Sequence, residues 1–194
     1  MTPSSKSTHP SRDAGTIHLM IWTSAQPETC QAILKSLLSP KHKKDCVAIW
    51  ARDTLRLTPA QYRNKTQVYK RLEWVWSDES IQKTHPHRHR GAKWDQTNTL
   101  LIDDSIIKAL AQPYNLINLP EFNLAAVVSE ARLSDEEAVL AQVVAYIDEA
   151  RWWSNVSTYV KGRPFKIGQW IVNRPGSKPQ EGVRLNFVDL TLED

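Results

Sequence analysis

Leu100, Leu101 and Ile102 form a short apolar run that stops at two adjacent carboxylates, Asp103 and Asp104. A run of this kind reads as a strand buried on both faces of a parallel sheet. In open α/β sheets, functional groups gather in the crevice outside the carboxyl ends of the strands, so an acidic pair at this point faces a binding site. Two like charges side by side are costly unless a cation neutralises them. Mg²⁺ suits the position, because it takes oxygen ligands and is usually held by one or two carboxylates together with substrate phosphate. The competing reading is that one carboxylate caps the helix that follows, accepting a hydrogen bond from a free N–H group at its start. Taken alone, the pair favours the cap.

The rest of the chain repeats the alternation of apolar run and helical pattern. From Thr16, the segment TIHLMIW predicts a strand, with Thr23 and Ser24 at its end. PETCQAILKSLLS then places Pro27 in a first turn and Cys30, Ile33, Leu37 and Leu38 on one helical face. Cys46 to Ala51 predicts a second strand, with Arg52, Asp53 and Thr54 as its exit or as part of a site. Val68, Leu72, Val75 and Trp76 fit one side of a helix flanked by Lys70 and Arg71. After the acidic pair, Ser105 to Ala111 predicts a short helix ended by Pro113, and Leu116 to Leu119 a strand stopped at Pro120. Ser134 with Glu137 forms a capping-box signature that opens a longer helix, whose apolar face is Leu140, Val143, Val144, Ile147 and Ala150. Glycine and proline recur beyond Lys161 and predict an irregular tail over 161–194, while residues 1–15 read as a disordered lead-in to a domain over 16–160.

Composition narrows the function classes. At 194 residues the chain holds one domain with a real core. The net charge of +4 comes from scattered Lys and Arg, densest at Lys41 to Lys44 and His85 to Lys93, and implies weak attraction to anionic partners. Aromatic residues are not interleaved with these basic groups, which argues against specific nucleic-acid binding. Two cysteines, Cys30 and Cys46, indicate neither a disulfide framework nor a four-ligand zinc site, so an intracellular, reducing compartment is expected. No apolar run approaches the roughly 20 residues needed to cross a bilayer. His85, His87 and His89 alternate as metal ligands can, but Arg88 and Arg90 between and beside them disfavour a cation, and an exposed loop is the reading adopted. The eight Trp predict a heavily aromatic core, with a docking surface as the alternative.

IWTSA at Ile21 to Ala25, YKRLEWVW at Tyr69 to Trp76, and NTLLIDDS with the downstream QPYNLINLPEF occur in one order, followed by NVSTYVKGRPF at Asn155 to Phe165. In this order they resemble the phosphatase-like domain of the haloacid-dehalogenase superfamily. The branch is that of the RNA polymerase II C-terminal-domain phosphatases and NLI-interacting-factor-like proteins. The resemblance implies a Rossmann-like parallel sheet flanked by helices and a Mg²⁺-dependent hydrolysis of phosphoserine or phosphothreonine on a protein. Carried over residue by residue, it makes Thr23 the strand-end hydroxyl and Lys70 the lysine that holds the phosphoryl group. Asp104 becomes the metal ligand, with Asp103 supporting it. A lysine and a metal ion both stabilise the negative oxygens of a transferring phosphoryl group. The family usually has Lys-Asp where this chain has Lys70-Arg71, and Lys65 is the alternative lysine.

The resemblance also implies a first strand ending in DxDxT, whose first Asp is the nucleophile and whose second is the general acid and base. The residues before Thr16 hold one Asp, Asp13, in SRDAG, with no second carboxylate two positions on. The expectation is therefore an N-terminally truncated domain without its first strand, with little or no hydrolysis. A noncatalytic protein-binding role, similar to that of the mitochondrial inner-membrane translocase receptor subunit, is the alternative. The first reading places the chain in the nucleus or cytoplasm, the second in the mitochondrion.

Overall fold

The computed structural model describes residues 16–121 and 130–170. The predicted lead-in over 1–15 and the tail beyond residue 170 lie outside the described residues. Among those described, helices alternate with short parallel strands, as in an α/β fold. β1 (Ile21–Trp22) pairs with β2 (Ile49–Trp50), and β3 (Leu101–Asp103) pairs with β4 (Leu116–Asn118), both in parallel. The regular strands are shorter than the apolar runs that predict them. Main-chain bonds nevertheless extend the first ladder at both ends, from Val47 N–H to the Leu19 carbonyl at 2.8 Å and from Thr23 N–H to the Trp50 carbonyl at 2.9 Å.

Strand alternation distributes the core. Successive side chains of a strand point to opposite faces. Ile21 and Ile49 accordingly pack with Cys30 and Leu34 of α1 (Pro27–Leu37), while Trp22 and Trp50 turn to a second cluster containing Leu55, Val68, Leu72, Val75 and Ile81. β3 does the same. Leu101 packs against the second cluster, and Leu100 and Ile102 pack against a third, built on Ile117, Val143, Tyr146, Ala150, Tyr159 and Val160. The third strand run is thus covered on both faces, as its continuous apolar sequence predicts. Among the described residues the β1–β2 and β3–β4 pairs meet through side chains, Leu101 against the cluster around Trp22, and share no ladder bond.

Several element boundaries differ from the sequence reading. The helix expected from Val68 is α4 (Leu72–Ser77), preceded by an extended stretch. It follows the short α2 (Pro40–Asp45) and α3 (Pro59–Arg63), and α5 (Glu79–Gln82) comes directly after it. Ser105 to Ala111 forms a single 3-10 turn over Ile106–Ala109 in place of an α-helix, and Pro113 opens a second such turn instead of only ending the first. The helix assigned a start at Ser134 is α6 (Glu130–Ala150), so Ser134 lies inside it. The residues Glu130, Ala131, Arg132 and Leu133 are good helix formers, and the helix runs through them past the local capping motif. Its predicted face is buried at Val143, Ile147 and Ala150, and Tyr146 joins that face. A last helix, α7 (Val156–Gly162), is capped by Asn155, whose side chain accepts the Thr158 N–H at 3.0 Å. Phe165 and Trp170 pack on the third cluster, so ordered packing continues past Lys161.

The aromatic content is mostly core. Trp22 stacks edge-on to Trp50 at 5.2 Å, and Trp50, Trp74, Trp76 and Trp94 border the second cluster. Among the described residues no helix is long and apolar enough to cross a membrane.

Candidate functional site

The acidic pair ends β3, and its backbone is fixed before any side chain is considered. The Asp103 carbonyl accepts the Leu119 N–H at 3.1 Å, and the Asn118 side-chain amide donates to the carbonyls of Asp103 and Asp104 at 3.3 and 3.0 Å. The Asp103 carboxylate then accepts the Ser105 N–H at 2.9 Å. This last contact is the local turn bond that the capping reading anticipates. It uses one oxygen of Asp103 and leaves the other to a distant partner.

That partner is Lys70. The stretch before α4 is held extended by two bonds to the segment after β3: Lys70 N–H donates to the Lys108 carbonyl at 2.7 Å, and Leu72 N–H to the Gln112 side chain at 2.9 Å. The helix can begin only at Leu72, and the Lys70 side chain is directed inward. Its ammonium lies 2.6 Å from Oδ2 of Asp103, with the two side chains 6% and 2% exposed. Burial acts against a charge on Asp103, but the charge of Lys70 and its hydrogen bond, with hydrogen bonding to Asp104 and the Ser105 N–H, outweigh it and hold the carboxyl below its ordinary value. Asp103 is therefore an ionised, fully engaged carboxylate.

Lys108 completes the cluster. Its ammonium lies 3.2 Å from Oδ1 of Asp104 and 3.5 Å from Oδ1 of Asp103. Two carboxylates and two ammonium groups thus share one largely buried site at the carboxyl end of β3. Sequence reasoning brought Lys70, Asp103 and Asp104 to the site but missed Lys108, whose signal was its spacing of four from Asp104. It also missed Asn118 and Gln112, which act through backbone contacts that no local pattern encodes.

The remaining candidates lie on other elements. Thr23 is buried at the carboxyl end of β1, where its hydroxyl accepts the Ala25 N–H at 3.1 Å. Lys65 lies on an exposed stretch between α3 and α4. Arg52 spends its guanidinium on the carbonyls of Gln61, Tyr62 and Asn64, a structural clamp on the loop after β2. His87 and His89 are exposed, and His85 rests its ring against Trp94 at 4.4 Å.

Among the described residues no group of three or more His, Cys, Asp or Glu side chains could enclose a metal ion. An adjacent carboxylate pair, with Asp103 engaged by Lys70 and Asp104 nearer the surface, is compatible with the one or two carboxylates that Mg²⁺ takes when phosphate oxygens and water complete its shell. The residues fit an ion held jointly with a bound phosphoryl group.

Comparison with known proteins bears on the same region. The family model described as NLI interacting factor-like phosphatase matches residues 14–159. A Schizosaccharomyces pombe protein described as an uncharacterized FCP1 homology domain-containing protein is 34% identical over 149 residues, which are 77% of this chain. The match covers 58% of that relative's length. No solved structure matches.

Proposed function

The chain belongs to the NLI interacting factor-like phosphatase family, of the haloacid-dehalogenase type, and from that membership we propose that it binds phosphoserine or phosphothreonine on a protein partner, with Mg²⁺. The observation that carries this reading is the buried Lys70–Asp103 pair with Asp104 beside it. Lys70 provides a fixed positive charge for phosphoryl oxygens, Thr23 a strand-end hydroxyl, and Asp104 the carboxylate that would hold the metal, with Asp103 orienting Lys70. When bound, the metal ion would neutralise charge on the phosphoryl oxygens. An ammonium held by a buried carboxylate needs no reorganisation when an anion arrives, which is where such sites gain their strength.

Binding and turnover separate in this proposal. The 194 residues contain no DxDxT sequence, so they offer no carboxylate pair for attack and proton transfer in the family manner. Phosphopeptide binding measured by fluorescence anisotropy should require Mg²⁺ and fall at least about tenfold in Asp104→Asn, the scale of one charge-assisted contact. Inorganic phosphate release by the same protein should stay at background. Sustained release that Asp104→Asn abolishes would overturn the turnover half of the proposal, and Mg²⁺-independent binding unaffected by Asp104→Asn would overturn the other.

A noncatalytic docking role is favoured by one observation. Ile106, Ile107, Leu110 and Tyr114 follow the acidic pair directly and are 46–58% exposed, an apolar surface beside the anion site. A protein partner delivering a phosphorylated residue would cover it.

A further inference from the structure

We propose that Lys108 is an exchangeable counter-ion that occupies the cation position between Asp103 and Asp104 and thereby sets the affinity of the site for a divalent metal. This inference rests on the metal-binding reading given above. Adjacent carboxylates with side chains 2% and 10% exposed cannot both stay ionised without a cation close to them. Two lysines supply the charge, and their settings differ. Lys70 is 6% exposed, grips Oδ2 of Asp103 at 2.6 Å and is tethered through its own N–H to the Lys108 carbonyl. The Lys108 ammonium addresses the Oδ1 atoms of both aspartates, at 3.5 and 3.2 Å, the position a cation shared by the two would take.

A divalent ion and an ammonium cannot share that position, since two positive charges within a few ångströms in a poorly solvated site repel strongly. Lys108 can leave. Its side chain is 13% exposed and rises from a single 3-10 turn whose Ile106, Ile107 and neighbouring Leu110 lie open to solvent. A four-carbon stem with three rotatable donors suits such an exchange better than a planar guanidinium would. Metal entry therefore displaces Lys108 and leaves Lys70 in place.

Calorimetric titration of the full chain with Mg²⁺ tests this. Lys108→Met should bind Mg²⁺ roughly tenfold tighter than wild type, the scale of one lost competing charge contact. Lys108→Arg, which keeps the charge on a guanidinium that exchanges less readily, should bind Mg²⁺ no more tightly than wild type. Without metal, Lys108→Met should melt at a lower temperature than wild type, and Mg²⁺ should raise its melting temperature more. Equal Mg²⁺ affinity in wild type and Lys108→Met would overturn the role of Lys108 and leave the metal site standing. Absence of binding in both would overturn the metal site as well. A second measurement uses the unmodified protein: acetylation read by mass spectrometry should label Lys108 several-fold faster when Mg²⁺ is added, with Lys70 unchanged. Labelling of Lys108 indifferent to Mg²⁺ would equally overturn the proposal.

Discussion

Asp103 and Asp104 are neighbours in sequence with different surroundings. Asp103 turns into the protein, where Lys70, Lys108 and the Ser105 N–H engage both of its oxygens, while Asp104 meets Lys108 nearer the rim. The grouping of the acidic pair with a lysine was legible because the resemblance carries both segments. The identity of the buried lysine was legible for the same reason. Lys108 was not, since an i, i+4 acid-base pair is ordinary on any helix surface and becomes special only when the turn that carries it packs at the end of β3. Removing one member of a buried ion pair costs about 3–5 kcal/mol where the other charge is left uncompensated, a cost that Lys108 at 3.5 Å from Asp103 offsets in part. Lys70→Met should therefore lower the urea midpoint substantially, and Lys65→Met, on an exposed stretch, should shift it little. Comparable losses in the two variants would show that the site does not depend on Lys70.

At the scale of elements, periodicity located helices well and their ends poorly. α1 starts at Pro27 as its first-turn proline predicts, because the ring fixes φ and the missing N–H is not needed there. α4 starts later than its apolar spacing suggests, because Lys70 and Leu72 give their N–H groups to Lys108 and Gln112, partners 38 and 40 positions away in sequence. α6 starts earlier than its capping box suggests. α7 was not anticipated as a helix, although Asn155 is a strong N-cap residue ahead of a short apolar repeat at Val156, Tyr159 and Val160. That cap is exposed and geometrically good, at 3.0 Å to Thr158 N–H. Asn155→Ala should cost about 1 kcal/mol, and Asn155→Ser or Asn155→Asp much less. Thermal melts of the variants would check the ranking, and an Ala variant as stable as Ser or Asp would refute the capping role.

Across the whole molecule, most of the tryptophans that looked from sequence like core do border core clusters, and two buried tyrosines that the sequence reading did not single out set an alkaline limit. Burial, with a smaller contribution from the charge of Glu149, raises the pKa of both Tyr146 and Tyr159 far above the ordinary value of 10.0. The phenols stay neutral in the native state while those of the unfolded chain ionise near 10, so the unfolded state binds fewer protons in that range. Their contribution is complete below pH 10 and is lost as pH rises beyond it. Urea unfolding from pH 8 to 11 should show stability falling above 10, and Tyr146→Phe should flatten the fall while losing the hydroxyl bond to the Arg163 carbonyl, 2.8 Å long. An unchanged alkaline slope in Tyr146→Phe would contradict this. The single sheet implied by the resemblance was the least legible feature at this scale, because strand order depends on pairings that no single segment encodes.

The separation of β1–β2 from β3–β4 has a kinetic consequence. Ladder bonds make neighbouring strands open together, whereas side-chain contact between pairs lets each open with its own free energy. Amide exchange at Ile21 and Ile49 would then follow one rate, and exchange at Ile102 and Ile117 another. Lys70 reaches the second pair from a segment whose Val68 and Leu72 belong to the first pair's cluster. Each opening of either pair would break the Lys70–Asp103 contact. The lifetime of the Lys70–Asp103 ion pair is therefore set by the less stable of the two pairs.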